Sequence, residues 1–189
     1  MEKLILGLVL FLGVHSVSIF AAGFRNAMAA KSELGWKAIY GIVSLLGLWL
    51  IIKGYADART TTTFLYHPPM WLKHLSAVLM LPVFVFFFAP YFPGRIKTAL
   101  KHPQLVAVKL WAVAHLLVNG TVADVVLFGS FLAWAVVDRI SLKRREPRPV
   151  PGMPAGAAND VIVIVVGLAA YGLFAMVLHQ RWIGVAPFG

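Results

Sequence analysis

Two histidines, His15 and His115, stand inside long apolar runs of this sequence. An ionisable side chain so placed costs about 3 kcal/mol in lipid unless it is paired or ligated. Imidazole is also the commonest metal ligand among the side chains. At 1.5 Å of helix per residue, His15 lies about 18 Å beyond Lys3 and His115 about 18 Å beyond Pro103. If the two helices run in opposite directions, both imidazoles fall near the middle of a bilayer. Two histidines on different helices suit a six-coordinate haem, because the porphyrin takes four positions on the iron and leaves two axial ones. Spacing alone leaves open a plainer role, in which each imidazole hydrogen-bonds a neighbouring helix. Zinc is a poorer match, since neither histidine has a ligating partner three or four residues away.

The remaining polar residues of the apolar runs divide by position. His67 precedes Pro68-Pro69, and His74 and His179 fall at helix ends, where a wet imidazole costs little; all three read as interfacial. His102, directly before Pro103, marks the inner mouth of a helix. Trp111, His115 and Asn119 recur every fourth residue and share one face of that helix. Trp111 or Asn119 either orients the imidazole and lines a pocket, or serves packing and a C-cap. Asp124 and Asp138 lie near opposite ends of the next helix, and Asp138-Arg139 reads as a solvated end. Phe84 to Phe88 reads as lipid-facing bulk.

The elements that must position these residues follow from composition. Of 189 residues, 60% are hydrophobic and 13% charged, with a mean hydropathy of +0.84. Soluble domains run near 45–50% apolar and about 25% charged, so lipid must be the solvent for much of this chain. The fold class expected is all-α, a polytopic membrane bundle of about six transmembrane helices, forming a single integral-membrane domain over residues 1–189. The apolar runs are Leu4 to Phe24, Trp36 to Tyr55, Met70 to Phe88, Pro103 to Asn119, Val122 to Val137 and Val161 to Leu178. The first could pass for a signal peptide, but it is longer than a usual h-region and carries His15 and Ser16; it reads as a retained helix. Ser141 to Ala158 is basic, then rich in Pro and Gly, and reads as a surface loop.

A net charge of +10 would suggest nucleic acid in a soluble protein. Here the cations sit between apolar runs, where orientation signals belong, so no nucleic-acid partner is expected; the partner is the bilayer. With six spans, twelve of the seventeen lysines and arginines share one side, among them Arg25, Lys31, Arg95, Lys97, Lys101 and Arg139 to Arg148. The positive-inside rule then puts that side in the cytoplasm and both termini in the periplasm of a bacterial inner membrane. Cysteine is absent, which excludes disulfides, thiolate-ligated iron–sulfur clusters, cysteine-linked haem and a cysteine nucleophile.

Four ordered motifs carry a family likeness: Val14-His15-Ser16 with the following Arg25, Lys101-His102-Pro103-Gln104, Leu110-Trp111-Ala112-Val113-Ala114-His115, and Val137-Asp138-Arg139. In these the chain resembles the NnrU family, whose relative is the plant enzyme 15-cis-zeta-carotene isomerase. The likeness implies a b-type haem (heme b), with iron bound by the histidines at His15 and His115. The isomerase also has a cysteine directly after the tryptophan of the third motif, used as an alternative ligand; Ala112 stands there, so that exchange is closed to this chain. The family's link to nitrite and nitric oxide respiration implies partners among nitric oxide and respiratory-chain components, or an apolar polyene on the isomerase side. The function implied is thus a bis-histidine haem protein. The alternatives are a haem-dependent carotenoid isomerase or a non-enzymatic assembly factor for denitrification reductases. Haem propionates are costly to leave unpaired in lipid, and Arg25, Lys101 and His102, at one expected membrane edge, are the residues to meet them. A histidine–proline pair before a helix also occurs in membrane methyltransferases that bind S-adenosylmethionine. Those need a late acidic–aromatic signature, and Arg139 to Gly152 is basic and Pro-rich instead.

Overall fold

The structure is a computed structural model describing residues 1–146 and 148–188. Pro147, within the expected loop, and the C-terminal Gly189 lie outside the described residues. Ten α-helices run in order among the described residues: α1 (Glu2–Phe20), α2 (Ala22–Lys31), α3 (Glu33–Ala58), α4 (Leu72–Met80), α5 (Val83–Phe88), α6 (Arg95–Leu100), α7 (Pro103–Leu116), α8 (Val122–Ser141), α9 (Asn159–Leu173) and α10 (His179–Ile183). Among the described residues the β pairing is limited to one isolated bridge, Phe64 with Thr121. The all-α expectation holds.

Among the described residues, four helical stretches are long and apolar enough to cross a membrane: Glu2–Phe20, Glu33–Ala58, Leu72–Tyr91 and Asn159–Ile183. The count of about six is therefore not reached on length and composition. The two expected spans outside this set have physical reasons to be. With 14 residues, α7 makes about 21 Å of helix, short of a hydrocarbon core of about 30 Å. With 20 residues, α8 has the length but carries Asp124, Asp138 and Arg139.

Several boundaries differ from the apolar runs. The first run does not continue to Phe24. Ala21 leaves helical geometry at φ −135°, ψ 46°, and a second helix, α2, starts after it with no buried residue. The third run breaks at Leu81-Pro82, where a proline removes a helical donor and α5 restarts. The fourth ends at Leu116, before Asn119. The sixth extends to Ile183 through a π turn at Phe174–Leu178.

By contacts the chain divides into two compact units, Met1–Tyr66 with Gly120–Ser141, and His67–Asn119 with Leu142–Gly189. In the first unit, α1 packs along α3 and also touches α8. Small residues let the backbones approach: a side chain at Gly7 would meet the backbone of Gly47 and Ile51, and one at Gly54 would meet Lys3 and Leu4. Close backbone approach through glycine is how helices associate where lipid supplies no hydrophobic drive. Lys3 Nζ and Asp57 Oδ2, 2.8 Å apart, tie the same pair at its end. In the second unit, α5 packs between α7 and α9. Val85, Ala89 and Val163 are its buried apolar core, with Phe86 and Phe88 against it. The Phe84 to Phe88 stretch is therefore only partly lipid-facing bulk: Phe87 is 44% exposed, while its neighbours pack inward.

Candidate functional site

His15 sits on α1, half-buried among aromatic rings of the first unit. Phe11, one turn earlier, stacks on it at 4.2 Å between ring centres. Tyr40 of α3 lies at 5.0 Å, and Trp134 of α8 meets it edge-on at 5.9 Å. Its Nδ1 lies 2.6 Å from the Phe11 carbonyl oxygen. A carbonyl only accepts, so Nδ1 carries the hydrogen and Nε2 is the basic nitrogen. The indole Nε1 of Trp134 is buried and has no hydrogen-bond partner among the described residues.

His115 repeats this arrangement in the second unit. Its Nδ1 lies 2.8 Å from the Trp111 carbonyl oxygen, again one turn earlier, so its Nε2 is likewise the basic nitrogen. The Trp111 ring stands 5.3 Å from the imidazole. Trp111 thus orients His115 through its backbone as well as its ring. Asn119 lies just beyond the end of α7 at Leu116, with its backbone amide still donating to the His115 carbonyl oxygen at 2.9 Å. From the turn beyond, its side-chain amide donates to the His115 carbonyl oxygen at 2.9 Å, the C-cap role that the sequence left open.

Lys101 and His102 form the hinge into α7. Lys101 has φ 61° and ψ −48°, and the His102 amide donates to the Leu100 carbonyl at 2.6 Å. This is a tight γ-turn with a lysine in the conformation usually left to glycine. Lys101 also lines an open cleft of 720 Å³ with Arg95, Lys97, Thr98 and Asp160. Asp160 closes one end by accepting from the backbone amides of Arg95 and Ile96 at 2.9 and 3.0 Å. Arg25, on α2 of the first unit, donates to Asn26 Oδ1 at 3.4 Å.

The structure thus brings Trp111, His115 and Asn119 together, sets Lys101 and His102 in one turn, and places His15 and Arg25 in the other unit. His67 and His74 are exposed, in keeping with an interfacial position. His179 is different: half-buried, it stands 6.5 Å from the His115 ring and 21° from parallel to it. Sequence reasoning set it aside as a helix end, and no periodic spacing could have joined it to a residue so distant along the chain. Among the described residues no group of three or more His, Cys, Asp or Glu side chains is placed to hold a metal ion.

The family model described as NnrU protein matches residues 3–187, nearly the whole chain. The chain belongs to the NnrU family. No curated protein and no solved structure matches it. In this NnrU chain the match spans both compact units, and all four motifs of the likeness lie within it.

Proposed function

We propose that this NnrU chain is a b-type haem protein of the bacterial inner membrane, with His15 and His115 as the axial ligands. The observation that carries this reading is the shared local chemistry of the two imidazoles. Each gives its Nδ1 hydrogen to the carbonyl one helical turn earlier, Phe11 for His15 and Trp111 for His115. Such a bond fixes the tautomer and ring orientation, as second partners of metal-bound histidines do. A neutral imidazole with a fixed Nε2 is the donor that haem iron takes.

The surroundings suit a planar apolar macrocycle: Phe11, Tyr40 and Trp134 around His15, Trp111 beside His115. Arg25, Lys101 and His102 are the groups proposed to meet the propionates. Bound haem would supply an iron centre for electron transfer or for nitric oxide binding. The chain's part is to hold two neutral imidazoles, keep water away with aromatic rings and supply cations to the carboxylates. Purified in mild detergent after expression with ample haem, the protein should show a Soret band and a low-spin, six-coordinate spectrum. Absence of any Soret band would sink the reading and leave the histidines as structural hydrogen-bonders.

A further inference from the structure

The cleft beside Asp160 lies within the second unit, where two of the apolar stretches end. Leu72–Tyr91 finishes just before it and Asn159–Ile183 starts at its edge, so it opens at the membrane surface and not in the hydrocarbon. Its walls are fixed. The Asn159 side-chain amide donates to the carbonyl oxygens of Pro93 and Pro154, each at 2.9 Å, and the Met153 amide donates to the Tyr91 carbonyl at 2.9 Å. These bonds hold the segment 153–157 against the chain that leads into α6. A side chain at Gly94 would meet the Asp160 carboxylate, and its absence lets that carboxylate reach the Arg95 and Ile96 amides.

With those amides taken, recognition in the cleft falls to side chains. Arg95, Lys97 and Lys101 line it against the single carboxylate of Asp160, an excess of two positive charges. Among the described residues Lys101 is the one non-glycine at positive φ, strain of the kind that gathers at binding sites. Ala99 and Ala155 add an apolar wall. At 720 Å³ the cleft falls within the roughly 300–1,000 Å³ typical of ligand sites. Basic pockets between spans take the phosphates of anionic lipid headgroups. We propose that this cleft binds one anionic phospholipid, with Arg95 and Lys97 on its phosphates and the alanine wall along its glycerol. An excess of two charges matches a headgroup with two phosphodiesters, as in cardiolipin. A zwitterionic headgroup brings an ammonium that the same cations repel. Lys101 is shared with the propionate contact proposed above, whereas Arg95 and Lys97 belong to the lipid site alone. The proposal stands apart from the haem reading.

Native mass spectrometry and thermal unfolding of the delipidated protein in mild detergent test it, and neither readout involves iron. Given cardiolipin, the parent should retain one lipid and unfold later; phosphatidylcholine and inorganic phosphate should do neither. Arg95→Gln combined with Lys97→Gln should weaken cardiolipin binding roughly tenfold or more. Lys143→Gln combined with Arg144→Gln removes the same charge from exposed positions outside the cleft and should bind as the parent does. Ala155→Glu puts an anion on the exposed cleft wall and should expel the lipid, so the outcome does not hang on the stability of α6. Lipid kept by the Ala155 variant, or equal weakening by the Lys143 and Arg144 pair, would reduce the effect to general surface charge and overturn the site. Equal protection by phosphatidylcholine overturns it as well. Equal protection by inorganic phosphate would make the cleft a free-phosphate site and overturn the lipid assignment.

Discussion

The hydroxyl of Tyr55, near the end of α3, donates to Oδ1 of Asp124 in the first turn of α8 at 2.6 Å. The other carboxylate oxygen, Oδ2, accepts from the Thr121 amide at 2.8 Å and from its hydroxyl at 2.6 Å. The Asp124 amide in turn donates to Thr121 Oγ1 at 3.3 Å. This is a capping box, locked from outside by a tyrosine, with Asp124 only 4% exposed. Removing the carboxylate strands the tyrosine hydroxyl and two donors of Thr121. Asp124→Ala should lower stability by about 3 kcal/mol, read as an earlier thermal unfolding transition in detergent. Tyr55→Phe should lose less, about 1 kcal/mol. Equal losses from the two variants would show that the cap contributes nothing beyond the tyrosine bond.

The glycine contacts between α1 and α3 leave no room for a side chain. At Gly47 an added Cβ would meet the Phe11 backbone nitrogen at 2.7 Å, and at Gly7 the Ile51 nitrogen at 2.6 Å. Gly47→Val and Gly7→Val should each cost about 2 kcal/mol or more through overpacking. Gly41→Val is the control, because nothing lies within 4 Å of its added Cβ. A Gly41 variant as unstable as the other two would shift the cause from packing to helix propensity.

The proposed ligand pair sets His115 apart from the exposed histidines. With His115 removed, His15 is left as the one proposed ligand, so His115→Ala should give a five-coordinate iron open to nitric oxide. His67→Ala and His74→Ala should keep the wild-type spectrum, since both are exposed. Nitric oxide titration followed at the Soret band distinguishes them. Rapid binding to the His74 variant and none to the His115 variant would reverse the assignment.

Strain at Lys101 has a direct readout. Its φ of 61° costs a residue with a Cβ on the order of 1 kcal/mol, and glycine nothing in steric terms. Lys101→Gly should therefore be as stable as the parent or more so, while haem affinity falls if the ammonium meets a propionate. Retention of haem against apomyoglobin competition measures the second effect separately from unfolding. Unchanged retention would assign the propionates elsewhere.

Topology follows from charge. Both termini are expected in the periplasm and Arg139–Arg148 in the cytoplasm. Alkaline phosphatase fused to the C-terminus should be active, and fused after Arg145 inactive. The opposite pattern would show that the orientation is inverted.

The apolar runs made the helices legible because lipid removes the alternatives: within a bilayer, backbone groups must be satisfied internally, and helices do this locally. The interruptions were harder to read. Pro82 signals its break, but Ala21 has no side-chain feature that separates it from Ala22, and a π turn at Phe174–Leu178 has no compositional mark. At the candidate site, His15 and His115 stood out because an imidazole is rare in an apolar run. His179 did not, since its partner is set by tertiary packing. Asp124 was visible only as a charge near a helix end; its tyrosine partner is 69 residues away, and no spacing rule reaches that far. Likewise nothing local told Asp160 that it would cap α6.

The division of the chain into two units that interleave along the sequence bears on how the ribosome delivers them. The α1–α3 hairpin can close as soon as Ala58 has left the exit tunnel, with its glycine seam complete. It then waits through the synthesis of some sixty residues (67–119 and a little more) before α8 arrives to finish its unit. The second unit waits in the same way for α9. Neither is a self-contained product of one uninterrupted stretch, so the order of maturation is written into the connectivity: the first unit closes with α8, and the second only after α9.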